Sequence, residues 1–206
     1  MNNKIIFVVI VLLALPVLVF AKDIELINQN TYFEDGLENW IMLLSNGADA
    51  EAIIDESDSI KGSQCVYIDI KNLGTDSIFW EIRFSQEDII VEQGDEYTIS
   101  VWVKAEDGPR QIKPHLRYGG DQNAMTFDIT TEWAEYSFTF VANQSAGVLD
   151  IPLGTAKGNV WIDNFRLYEG SYEEDPDIGR TQAQRAVNNG GKLTTTWGRI
   201  KEKLNG

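Results

Sequence analysis

The side chains best equipped for chemistry fall on alternating positions of three apolar runs: Glu81 and Arg83, then Trp102 and Lys104, then Lys113, His115 and Arg117 with Tyr118 next in line. Their neighbours Ile82, Phe84, Val101, Val103, Ile112 and Leu116 are apolar, and period-two alternation turns the polar set to the opposite face of a strand. An outward indole among guanidinium, carboxylate and imidazole groups suits stacking and hydrogen bonding rather than bond making. The competing possibility, that Trp102 is covered by a loop or by Lys and Arg stems, stays open at this level. Catalysis has little to work with. His115 is the single histidine, and no serine stands in a Gly-x-Ser-x-Gly elbow to use it. A glycosidase needs only two positioned carboxylates, but with 32 acids in the chain no pair distinguishes itself. The one cysteine, Cys65, excludes an internal disulfide framework and a multi-cysteine zinc site. Asp55–Ser59 lacks the central glycine and closing glutamate of an EF-hand loop.

The elements that must position these groups are short strands. Val66/Ile68/Ile70, Ile82/Phe84, Tyr97/Ile99/Val101/Val103, Ile112/Pro114/Leu116, Met125/Phe127/Ile129, Tyr136/Phe138/Phe140 and Leu149/Ile151/Leu153 each alternate with other residues, and glycines punctuate the runs. Half-buried strands without helical periodicity predict an all-β fold, a sandwich of two antiparallel sheets. Pro114 and Pro152 predict edge strands or bulges. Trp40, Trp80, Trp133 and Trp161 are expected in the core or at the sandwich ends.

Both termini differ from this body. Lys4, the apolar run Ile5–Phe20 and Val19-Phe20-Ala21 before Lys22 have the order of a secretory signal; an uncleaved anchor is the competing reading, weakened by Pro16 and by a run shorter than a spanning helix needs. Residues 1–21 are thus expected to be a signal peptide, 22–169 the sandwich, and 170–206 a linker with a basic tail. The net charge of −15 hides an asymmetry: residues 22–179 hold 10 basic against 31 acidic side chains, whereas 180–206 carry six basic residues and Glu202 alone. So acidic a body argues against nucleic acid as a partner. The tail, with Trp197-Gly198 and Ile200 near its end, could be a disordered end, a surface-attachment segment, or a segment docking on the acidic domain. Secretion, to the cell surface, periplasm or medium, is expected, with no membrane span left after signal cleavage.

Four local patterns carry a family resemblance: Phe33-Glu34-Asp35-Gly36-Leu37-Glu38-Asn39-Trp40; Gly62-Ser63 before Val66–Ile70; Trp80–Phe84 followed by Gly94–Ala105; and Trp133–Phe140 closed by Val160–Tyr168. Together, over about residues 28–169, they resemble the CenC-like carbohydrate-binding modules grouped with families 4, 9 and 22. The resemblance implies a jelly-roll sandwich that binds polysaccharide or oligosaccharide without catalysis, often beside a glycan-degrading enzyme. A sugar offers a flat CH face and a hydroxyl rim, so the expected glycan site comprises Trp102, Arg83, Glu81, His115, Arg117, Lys104 and Tyr118, and the expected ligand is a neutral plant or algal-type polysaccharide. The family also implies a structural calcium ion near Glu34 and Asp163, with carbonyls from around Tyr32 and Lys61; hard oxygen donors suit that ion. From another class, the same sandwich could serve a surface protein through protein contacts. Gathering of Arg83, Lys104, Lys113 and Arg117 by the fold would make one positive groove around Trp102.

Overall fold

The computed structural model describes residues 24–119 and 123–178; the expected signal segment and the Trp197-containing tail lie outside the described residues. Strands are numbered in chain order. β1 (Ile41–Leu44), β4 (Ile82–Ile90), β10 (Ala146–Pro152) and β7 (His115–Arg117) form a four-stranded sheet in that order. β2 (Asp49–Asp55), β3 (Cys65–Asn72), β11 (Val160–Glu169), β5 (Glu96–Ala105) and β9 (Ala134–Val141) form a five-stranded sheet, and β6 (Arg110–Ile112) pairs with β8 (Phe127–Ile129). Every pairing is antiparallel. The all-β sandwich expected from alternation is the fold of this chain.

The inner faces carry the apolar sets. Ile68, Ile99, Val101, Val103, Ile162 and Leu167 from the larger sheet meet Ile82, Phe84, Leu116, Leu149 and Ile151 from the smaller one, all fully buried; each such side chain contributes about 1.5–3 kcal/mol of transfer free energy. One end of the core is aromatic: Trp40 stacks on Phe84 at 4.9 Å and on Phe165 at 5.2 Å, with Phe33 tilted against it at 5.6 Å. The N-terminal segment closes over the last strand, since the Asn28 side chain donates to the Phe165 carbonyl and accepts the Leu167 N–H at 2.8 and 2.7 Å.

Alternation misplaced two stretches. The run Ile112/Pro114/Leu116 is not one strand: Ile112 ends β6 and Leu116 lies in β7, in different sheets, with Pro114 between them. Trp80 and Glu81 belong to a 3-10 turn, Phe79–Glu81, and β4 begins at Ile82. Glu81 is therefore not an outward strand residue: it is buried and accepts bonds from Asn46 Nδ2 at 2.8 Å and from the N–H groups of Ile78 and Asp76 at 3.1 and 3.3 Å. Burial alone would raise its pKa, but these bonds outweigh it and hold the carboxyl below its usual value. Trp80, expected in the packing, is 49% exposed instead. β7, which follows Pro114, is an edge strand, and β10, which ends at Pro152, shifts register between Gly147 and Leu149. The chain also stays attached beyond the expected boundary at 170. Tyr172 Oη donates to Glu135 at 2.8 Å, the Glu173 N–H donates to Tyr168 Oη at 2.9 Å, and Lys61 Nζ pairs with the nearly buried Asp175 at 2.8 Å.

Candidate functional site

The expected glycan-site residues do not converge; they divide between the two solvent-side faces of the sandwich. Trp102 and Lys104 lie on β5 of the five-stranded sheet, cross-strand from Asp163 and Trp161. Arg83, His115 and Arg117 lie on β4 and β7 of the four-stranded sheet. The positive groove around Trp102 is thus not formed.

On the five-stranded sheet the polar groups are largely engaged with one another. Buried Arg166 donates to Ser100 Oγ at 2.9 Å and to Glu135 at 2.8 Å. Lys104 pairs with Asp58 and lies over the Trp161 and Trp133 rings at 4.5 and 5.4 Å. Trp102 is half-buried among these strands, with its indole N–H buried and unbonded; it is a packed side chain, not an open platform. Toward the β2 edge, Trp161 donates to Asp55 at 2.9 Å and lies 5.0 Å from Tyr67, beside the exposed Ile53 in a shallow depression.

The four-stranded sheet presents a different surface. Register places Asp150 opposite Ser85 on one side and His115 on the other, so all three share the solvent-side face with Arg83 and Arg117. The Asp150 carboxylate is fully buried at the centre. Its Oδ2 takes both guanidinium groups, Arg117 Nε at 3.2 Å and Arg83 Nη1 at 3.5 Å. His115, expected in contact with solvent, is only 1% exposed; Nδ1 faces the Lys113 carbonyl at 3.0 Å, and Nε2 lies 2.5 Å from Asp150 Oδ1, off the hydrogen-bond line. Arg83 Nε and Ser85 Oγ of this floor are also buried without a hydrogen-bond partner. At one end the 3-10 turn raises Trp80 into solvent, edge-on to Phe79 at 4.8 Å, with Lys113 Nζ 4.8 Å over the Phe79 ring. Tyr118 is no platform here: its ring abuts Gly147, its hydroxyl is buried, and burial together with Tyr97 pushes its pKa up to about 12.

Asp150, Ser85 and Trp80 are the members that strand reading overlooked. Asp150 left a signal, being the one acid inside the run Val148–Leu153: a charge there must find partners. Ser85 left none.

Glu34 and Asp163, far apart in sequence, bracket the loop 60–64. Asp163 Oδ2 accepts the Ile60 and Lys61 N–H groups at 2.6 and 2.9 Å, and Oδ1 the Asn164 N–H at 2.6 Å. Glu34 accepts from Ser63 N, Ser63 Oγ and Gln64 N at 2.7, 2.8 and 3.1 Å. A Cβ at Gly62 would collide with the Glu34 carboxylate, and its φ of +70° is one that glycine adopts without strain. Burial raises the Asp163 pKa to about 7 against its three hydrogen bonds, and the Glu34 charge adds to the rise. Glu34 itself sits below its usual value: burial opposes ionisation, and the bonds from Ser63 and Gln64 outweigh it. Both amide atoms of Asn164 are buried without a partner. Two carboxylates that feel one another's charge are hard-oxygen donors, the type calcium takes. Among the described residues no three His, Cys, Asp or Glu side chains converge, so backbone and amide oxygens would have to complete such a shell. Lys61 contributes its N–H to Asp163, while its ammonium lies 3.8 Å over the Tyr32 ring.

A two-layer antiparallel sandwich with an aromatic turn and a charged, incompletely bonded sheet face defines a ligand-binding module. Residues 26–157 match the family model of the carbohydrate binding domain of types 4 and 9, and the chain belongs to that family. Among solved structures it is similar to one described as "CBM4 structure and function", at 25% identity and TM-score 0.57, covering 70% of this chain and 99% of that one. It shares its fold with the CBM22-1 xylan-binding domain of Paenibacillus barcinonensis Xyn10C (15%, TM-score 0.53, 75% and 100% covered) and with TmCBM61 in complex with β-1,4-galactotriose (16%, TM-score 0.52, 71% and 99% covered). No curated protein matches the sequence. No helix among the described residues is long and apolar enough to cross a membrane.

Proposed function

We propose that this chain is a secreted, non-catalytic module that holds polysaccharide on the solvent side of its four-stranded sheet. The observation that carries the reading is a sheet floor whose Arg83 Nε and Ser85 Oγ lack partners, on the strand that the turn bearing the exposed Trp80 leads into. A sugar ring stacks on the indole, and its hydroxyls satisfy the floor. Asp150 is held between two arginines and a histidine. Calcium at Glu34 and Asp163, with the Asn164 amide oxygen and carbonyls near Tyr32 and Lys61, would neutralise two neighbouring carboxylates and pin the loop 60–64 to the last strand. Affinity electrophoresis against xylan, β-glucan, cellulose, mannan and alginate, with calcium present, tests the reading: retardation by at least one polymer is expected, and free migration in all of them overturns it. A second reading has one observation in its favour. The open depression lined by Ile53, Ile54, Tyr67 and Trp161 beside Asp55, Glu56 and Ser57 suits contact with a protein at a surface; Trp161→Ala would then abolish partner capture and leave glycan retardation intact.

A further inference from the structure

The geometry points to a ligand bearing carboxylates, a uronic-acid polysaccharide, on the Arg83–Arg117 face; this inference rests on the glycan-binding reading and narrows it from the neutral polymer expected from sequence. Residues 22–179 carry 31 acidic and 10 basic side chains, yet at the centre of this face two guanidinium groups share a single carboxylate oxygen, that of Asp150, at 3.2 and 3.5 Å. One carboxylate cannot neutralise two guanidinium groups, so the centre keeps a positive charge with the imidazole of His115 beside it. The acids of β4 itself are Glu87 and Asp88, in the stretch where the pairing with β10 shifts register.

Donor capacity agrees with charge. Each guanidinium offers five N–H donors in a planar fork that matches a carboxylate. Arg83 reaches Asp150 through Nη1 and Arg117 through Nε, and Arg83 Nε is buried without a partner. The Arg83 and Arg117 side chains remain 23% and 26% exposed, so solvent, and with it an anion, reaches this pair. A neutral sugar would leave the net charge unmatched. A uronate carboxylate would match it, while the exposed Trp80 takes a ring of the same chain. Because the rest of the domain repels polyanions, affinity for such a polymer has to come from this local site and not from diffuse attraction.

The test compares each polymer with its own carboxyl-reduced form: polygalacturonate, alginate and glucuronoxylan before and after reduction, alongside neutral xylan, β-glucan and mannan. Full-length protein is titrated with each at low and moderate salt. The expected result is binding to at least one native acidic polymer that falls tenfold or more on carboxyl reduction. Arg83→Gln and Arg117→Gln should each lower that affinity about tenfold, with circular dichroism showing both variants folded. Arg117→Lys, which keeps the charge and loses the fork, should recover only part of it. Equal binding of native and reduced polymers, or binding to neutral polymers alone, overturns the inference and leaves the glycan-binding reading standing. Binding to none of them overturns both.

Discussion

The two solvent-side faces of this sandwich use similar residues to opposite ends. Beneath the five-stranded sheet's surface, Arg166 is buried and held by Ser100, Glu135 and the Glu173 carbonyl. On the four-stranded sheet, Arg83 and Arg117 lean on one shared oxygen and leave donors over. An arginine whose fork is satisfied within the protein is structure; one whose fork is left open on a sheet face is available to a ligand. The difference lies in stoichiometry. Glu135 faces one arginine, whereas Asp150 faces two arginines and a histidine.

The largest effect that would sharpen this contrast is on stability, at the carboxylate pair under the five-stranded sheet. A folded pKa of about 7 for Asp163 exceeds the ordinary aspartate value, so the native state binds more protons than the unfolded chain between about pH 4 and 7. Stability from this group is therefore full below pH 4 and declines as pH rises through 7, by as much as roughly 4 kcal/mol. Calcium should reverse the decline above pH 7, and Asp163→Asn should remove both the pH dependence and the calcium response. Thermal melts in chelator and in calcium at pH 5.5 and 8 measure this; a melting temperature at pH 8 indifferent to calcium would refute the ion.

Next in size is Asp150→Ala, which leaves two guanidinium groups facing each other. About 3 kcal/mol of destabilisation is expected, reduced by their partial exposure, together with altered glycan retardation. Denaturant unfolding gives the first quantity; a stability unchanged within error would mean that the cluster is not coupled. Trp102→Ala separates the faces most directly. It should cost about 2 kcal/mol through lost packing while leaving glycan affinity unchanged, and weakened retardation would return the site to the five-stranded sheet. Smallest in stability is Trp80→Ala, expected within about 0.5 kcal/mol of the parent because half the side chain is in water, yet it should weaken retardation several-fold. An unaltered electrophoretic shift would exclude Trp80 from the site.

Alternation was a sound guide wherever a strand had one wet and one dry face. It identified the inward-facing sets of β3, β5 and β9 and turned Arg83, Arg117, Trp102 and Lys104 away from the core. It lost β1, whose residues Ile41-Met42-Leu43-Leu44 are all apolar, and β2, where alanines weaken the contrast. It also ran past the start of β4, because a 3-10 turn of Phe-Trp-Glu continues the apolar–polar pattern without the extended backbone.

By itself the sequence determined the class: a two-sheet sandwich with an acidic body, carrying the local patterns of a carbohydrate-binding module. Those properties are local, written in period two and in composition. The tertiary structure alone decided which outward residues share a face. A strand records only that a side chain points out, and the sheet to which the strand belongs settles in which direction. Sheet membership arises from pairings such as β4 with β10 and β5 with β11, between segments some sixty residues apart. Through those pairings Trp102 parted from Arg83, and Asp150 came to lie beneath two arginines.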